Sequence, residues 1–147
     1  MTKIKVFKLD PEAKTPTRNK KTDAGLDLYA AETVFIPVGT TGKVKTGVAI
    51  EVPEGYVGRI SDRSGMASKG LIVGAGVIDT GYSGDHTVVL HNFSARQHEQ
   101  FYDGYMVQKG DKIAQLVVYP VETPEVEIVE QIWTSERGNT GWGSSGF

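Results

Sequence analysis

The chain has 147 residues, no cysteine and a formal net charge of −2; this fits one ordinary domain and removes disulfides, thiolate zinc sites and a cysteine nucleophile. With 39% hydrophobic and 23% charged residues it is not a disordered chain, and no apolar run approaches the roughly 20 residues a membrane helix needs. The near-neutral charge gives no global basic field for nucleic acid, and Met1-Thr2-Lys3-Ile4-Lys5 lacks a signal peptide's apolar segment, so a cytoplasmic location is expected, with no nucleic-acid and no membrane partner.

In chain order the pattern is mostly strand. Thr33-Val34-Phe35-Ile36-Pro37-Val38 is a strand ending at a turn. Residues 43–52 alternate polar and apolar over much of their length, as a half-buried strand does. Pro53-Glu54-Gly55 is a turn signal, and Tyr56-Val57-Gly58-Arg59-Ile60 the return strand. Ser64-Gly65-Met66-Ala67-Ser68-Lys69 alone has the makings of a helical turn, with Ser64 as N-cap. Residues 87–92, 112–119 and 124–130 read as further strands, the last with valines and isoleucine on one face. Short strands at regular spacing, punctuated by glycine and proline, predict an all-β sandwich or barrel. Glycine is over-used, at 18 residues, so some glycines should mark positive φ or close approach to a ligand.

Five segments carry groups suited to chemistry. In Asp23-Ala24-Gly25-Leu26-Asp27-Leu28-Tyr29-Ala30, Gly25 allows a turn and Asp27 alternates with apolar positions, facing away from the core; alone, it reads more readily as a solvated turn aspartate. In Gly58-Arg59-Ile60-Ser61-Asp62-Arg63-Ser64-Gly65 a strand gives way to a polar loop and a possible helix start. Backbone amides, the Arg63 fork and the Ser64 hydroxyl there suit an anion, or merely a capped turn with an exposed arginine. In the third, from Gly74 to Asp85, Val77 and Ile78 run into Asp79, so a hairpin returning near Thr87 would hold a carboxylate at its mouth, fit to take a proton from water or simply to form the turn. Tyr82 in the same segment is open between a functional ring and a packing one. In Gly110-Asp111-Lys112-Ile113-Ala114-Gln115-Leu116, Gln115 sits between apolar neighbours and needs a partner if buried. The tail from Arg137 to Phe147 is rich in glycine and serine; it is either a loose end or a phosphate-wrapping arm, and Trp142 favours an arm with a ring to stack.

In this order and spacing the five segments resemble the five motifs of the trimeric dUTPase family, from Asp23 to Gly146. The resemblance implies an all-β, distorted jelly-roll, β-barrel-like single domain, with residues 1–136 as the barrel and 137–147 as a mobile, glycine-rich C-terminal lid arm. It implies a homotrimer whose active sites are shared between subunits, and hydrolysis of dUTP to dUMP and pyrophosphate with Mg2+, which keeps uracil out of DNA. By the same resemblance Asp79 activates the attacking water and Asp27 holds the magnesium through water. Arg63, Ser64, Gly65 and Gln115 meet the phosphates, as do Arg137, Gly143 and Ser144 of the arm. Gly76 and Thr87 mark the hairpin whose backbone reads uracil, Tyr82 packs on the deoxyribose, and Trp142 caps the base.

The chain departs from the family pattern at Trp142, where phenylalanine is usual, at Asp62, where proline is common, and at Lys112, a frequent arginine. Ser83 stands where a longer polar side chain is common. The stretch 94–106, which opens at Ser94 and closes at Met106, is a few residues longer than usual and carries Arg96, His98, Phe101 and Tyr102. It reads as a surface excursion, either a tolerated insertion or a contact for a regulatory protein partner. Two rival functions remain at this level. A dCTP deaminase-like enzyme of the same fold would carry a glutamate in the base pocket, and residues 74–89 contain none. A non-catalytic jelly-roll binding or regulatory protein would have little reason to keep Asp79, Arg137 and the tail serines together.

Overall fold

A computed structural model of the chain describes residues 3–94, 103–134 and 138. Apart from one strand of two residues and one of nine, the strands are four to six residues long, since glycine, proline or a charged turn breaks most of the apolar runs. The order is β1 Lys5–Lys8, β2 Leu26–Tyr29, β3 Val34–Pro37, β4 Thr41–Val44, β5 Val48–Glu51 and β6 Tyr56–Ser61; then α1 Ser64–Ala67; then β7 Leu71–Gly74, β8 Val77–Ile78, β9 Val88–Asn92, β10 Gly104–Val107 and the long β11 Lys112–Pro120. Every pairing is antiparallel. The sheets run β2–β11–β6–β8, β4–β9–β7, β1–β5 and β10–β3.

All four sheets feed one core, as a jelly roll requires. Leu28 and Leu116 come from the first sheet, Leu71 and Leu90 from the second, Ile50 and Ile36 from the two ribbons, and none is more than 1% exposed. Each such side chain contributes about 1.5–3 kcal/mol by leaving water. The alternation in β9, buried at Val88, Leu90 and Asn92 and half-buried between, is the expected signature of a strand with one face inward.

Four sequence expectations change. Residues 43–52 are two strands, β4 and β5, on different sheets. Gly47 breaks them with φ +69, where a Cβ would meet that of Ala13 at 2.8 Å, so the chain turns where only glycine fits. Ser64 is the first helical residue and not the cap. Arg63 holds the N-cap position in an extended conformation, with no side-chain cap bond. Residues 124–130 form no strand within the chain: Val126 and Ile128 are each 93% exposed, because an alternating segment without a partner has no ladder to join. Finally, the excursion at 94–106 is shorter than its sequence suggests. Ser94 is buried, and Gly104, Tyr105 and Met106 pair in β10 with Pro37, Ile36 and Phe35 of β3.

Candidate active site

The polar cleft arises from register. β11 runs between β2 and β6, and Gln115 lies opposite Asp27 on one side and Ser61 on the other. Three sequence-distant segments therefore present side chains in a row on one face. Gln115 donates from Nε2 to the carbonyl of Asp62 at 2.8 Å, the partner its half-buried amide needs. Gly25 lies against it: a Cβ there would sit 2.0 Å from Gln115 Oε1. The sequence suggested a turn at Gly25; the structure requires glycine there for close approach.

Asp27 is held from two directions. Arg63 donates from Nε to its Oδ1 at 2.9 Å, and Lys112 Nζ stands 2.7 Å from Oδ2. Arg63 also donates from Nη1 to the carbonyl of Lys112 at 3.1 Å. The hydrogen bond to Asp27 raises the Lys112 pKa above its ordinary value, opposed by desolvation and by the charge of Arg63. These side chains are 16–40% exposed, so the ion pairs are screened by water and hold Asp27 only weakly. Ser64, Asn19 and Asp23 complete the rim. Gly65 is exposed beside it, with open space where a side chain would be.

The second cavity lies at the end of β7 and β8, encloses about 320 Å³, and is lined by Ile60, Gly76, Ile78, Asp79, Tyr82, Thr87 and others. Its floor is shaped by two consecutive positive φ angles, Ala75 at 55° and Gly76 at 97°. A Cβ on Gly76 would meet the Ile60 carbonyl at 2.5 Å, whereas the Gly76 carbonyl accepts the Ile60 N–H at 2.7 Å. Such backbone conformations are uncommon for alanine and cluster at functional sites. β8 pairs with β6, and β9 with β7 and β4, so the expected hairpin of Val77–Ile78 with the Thr87 strand is corrected. β7 and β9 are the paired arms, and β8 leaves them to edge the other sheet. Even so, Gly76 and Thr87 face the same cavity.

Asp79 follows β8 directly, is exposed, and has no hydrogen bond or ion pair to its carboxylate among the described residues. Its carbonyl accepts the Tyr82 N–H at 3.2 Å across a turn with Gly81 at φ +85, so carboxylate and ring share one wall. Tyr82 donates its hydroxyl to the Asp85 carbonyl at 3.0 Å and leans on His86, ring centroids 5.5 Å apart. His86 is wholly buried, its Nε2 has no partner among the described residues, and burial lowers its pKa below the ordinary imidazole value.

The chain thus brings together Asp27, Arg63, Ser64 and Gln115 in one cleft and Gly76, Asp79, Tyr82 and Thr87 in another cavity, and the two share no lining residue. Arg137, Trp142, Gly143 and Ser144 lie outside the described residues. Sequence reasoning missed Asn19, Asp85 and His86 as site neighbours, and it noted Lys112 only as a departure. For Lys112 and Asp85 a signal existed, charge next to motif residues; for His86 there was none.

An acid-tipped, largely apolar pocket and a cation-bearing cleft both rise from one jelly roll. The dUTPase family model matches residues 11–146. The chain is 40% identical over 148 residues to the deoxyuridine 5′-triphosphate nucleotidohydrolase of Paramecium bursaria Chlorella virus 1, with 100% of both covered. Among solved structures, it matches the dUTPase of Staphylococcus bacteriophage 80alpha with dUPNHPP at TM-score 0.87 and 36% identity, with 100% of both chains covered. It also matches a mutant dUTPase of phage phi11 of S. aureus that coordinates a structural Mg(II) ion, at TM-score 0.80 and 35% identity, over 90% of this chain and 100% of that one. The chain belongs to the dUTPase family.

Proposed function

We propose that this chain hydrolyses dUTP to dUMP and pyrophosphate, with Asp79 as general base for in-line attack of water at the α-phosphate. The observation that carries this reading is the exposed Asp79 carboxylate, unpaired among the described residues, at the mouth of a pocket of about 320 Å³. Water is a poor nucleophile, and a positioned carboxylate that takes its proton accelerates attack by about 10²–10⁴-fold. Uracil would enter against the Gly76 backbone and the Thr87 strand end. Its N3–H and O4 would find fixed backbone partners there, which cytosine reverses and so leaves unpaired. Tyr82 would cover the deoxyribose and exclude a 2′-hydroxyl.

The triphosphate would lie in the second cleft, where Arg63 and Lys112 exchange Asp27 for phosphate oxygens, with Ser64, Gly65 and Gln115 beside them. Arg137, Gly143 and Ser144 would close on the outer phosphates and Trp142 on the base. The described residues hold no group of three or more acidic or histidine side chains that would chelate a metal. One carboxylate at a wet, polar rim instead fits magnesium, which keeps several waters and binds through one or two carboxylates and substrate phosphates. Bound with the triphosphate, it would neutralise charge and polarise the phosphoryl oxygens. Asp27 is the residue that would hold it, through water.

We further propose a homotrimer in which the pocket of one copy faces the cleft of another. The separation of the two cavities supports this, and so do the almost bare Val126 and Ile128. A cytoplasmic location fits the same reading. The test is release of pyrophosphate from dUTP beside dCTP, dTTP and UTP, with and without magnesium. Magnesium-dependent turnover of dUTP alone is expected; ammonia from dCTP, or an inert dUTP, overturns it.

A further inference from the structure

Asp85 lies outside every role described above, yet its carboxylate is the most heavily engaged near the pocket. Oδ1 accepts the Thr46 N–H at 3.1 Å and the Thr87 hydroxyl at 3.1 Å; Oδ2 accepts the Gly47 N–H at 2.8 Å. The donors come from two places: the elbow between β4 and β5, where Gly47 turns with φ +69, and the pocket wall itself. Two further bonds stitch the same seam, from the His86 N–H to the Val48 carbonyl at 2.9 Å and from the Thr46 hydroxyl to the His86 carbonyl at 3.1 Å. The backbone carbonyl of Asp85 is thereby immobilised, and it is this carbonyl that receives the Tyr82 hydroxyl at 3.0 Å. The ring then lies over Gly84, where a Cβ would stand 2.5 Å from the Tyr82 hydroxyl oxygen, and against His86.

From this geometry we propose that Asp85 is the positioning residue for sugar selectivity: it clamps the loop whose carbonyl anchors Tyr82 and so fixes the ring that excludes the 2′-hydroxyl. The inference rests on the reading of Tyr82 as the cover of the deoxyribose. Tyr82 itself is nearly half exposed and follows a glycine turn, so nothing in its own segment is rigid enough to refuse one oxygen atom. The refusal comes from the barrel, through a carboxylate that bonds to three donors at once. Without that carboxylate the Thr46 and Gly47 amides and the Thr87 hydroxyl lose their acceptor, the 84–87 loop relaxes, and the ring yields to a ribose.

The experiment is steady-state kinetics on dUTP and UTP for the wild type, Asp85→Asn, Asp85→Ala and Tyr82→Phe, each checked for native circular dichroism. Asp85→Ala should lower the ratio of kcat/KM for dUTP over UTP by about tenfold or more, chiefly through a raised KM for dUTP and a gain on UTP. Asp85→Asn, which is isosteric and keeps one acceptor oxygen, should lose a smaller share; it carries the test should the alanine variant fail to fold. Tyr82→Phe keeps the ring and deletes only the tether to Asp85, so its ratio should fall in the same direction. A ratio within about twofold of wild type in folded Asp85 variants, whatever their melting temperatures, overturns the proposal. A wild type indifferent to the 2′-hydroxyl would overturn the sugar reading of Tyr82, and the proposal with it.

Discussion

The cleft around Asp27 and the pocket around Asp79 are built by different means. In the cleft, Asp27, Gln115 and Ser61 stand in a row because three antiparallel strands fix their register, and one residue's slip would turn the whole row to the other face. In the pocket, strand pairing ends at Ile78, and the working groups sit on turns shaped by the positive φ of Gly76 and Gly81 and held by side-chain bonds to the barrel. Register gives a fixed grid on which charges can exchange partners. Tethered turns give a shaped wall, whose accuracy depends on individual hydrogen bonds. On the function proposed above, a flexible polyanion would tolerate the first design, and telling one pyrimidine nucleoside from another would need the second.

The contrast can be broken most sharply at Asp79. Asp79→Asn should retain nucleotide affinity while turnover falls by about 10²–10⁴-fold; near-normal turnover with intact binding would remove the base from the pocket. Deleting residues 137–147 should leave the melting temperature unchanged, since the described barrel forms its core without them. Hydrolysis should drop by about 10²-fold, as misplacement by about 1 Å can do; full activity would mean that cleft and pocket need no cover. Gly25→Ala tests the grid. Its Cβ would overlap Gln115 Oε1, and the forced shift should cost about 1–3 kcal/mol of stability and raise KM with kcat little changed. A melting curve and kinetics equal to wild type would show that Gln115 moves aside freely.

The smallest expected effect separates the pocket from the cleft by pH. His86 is buried beside Tyr82 and its folded pKa lies below the ordinary value, about 6.5 in an unfolded chain. The unfolded chain therefore takes the proton first. The stability is fully present above about pH 6.5 and declines as pH falls below it, towards the folded pKa. His86→Leu should flatten that part of the melting-temperature profile and, because the orphaned Nε2 disappears with it, change stability at neutral pH by no more than about 1 kcal/mol. An unchanged acid slope would assign the loss to other groups.

Much of this could be read from the sequence where a local pattern coincides with a global one. Asp27 was expected to face away from the core because Leu26, Leu28 and Ala30 alternate around it, and it does. Gln115 was expected to need a partner and found the Asp62 carbonyl. What escaped were facts that depend on a second segment. Nothing local says that Gly25 is glycine for the sake of a side chain 90 residues away, or that Gly47 divides a well-patterned strand because Ala13 stands behind it. The alternation in 124–130 is real, but a strand needs a neighbour, and the described chain supplies none. β8 was paired wrongly because Val77–Ile78 is too short for its pattern to choose between β6 and β9.

The doubly held Asp27 has one more consequence. The cleft is not a bare pair of cations awaiting counter-ions from the buffer: it carries its own anion, already within 2.9 Å of both. If the proposed function holds, a departing monophosphate nucleotide, which offers fewer oxygens than the triphosphate, would have to compete with that internal carboxylate for the same two side chains. On the proposed reading, Lys112 and Arg63 would favour relapse onto Asp27 over retention of the spent nucleotide, so that inhibition of dUTP turnover by added dUMP should be weak.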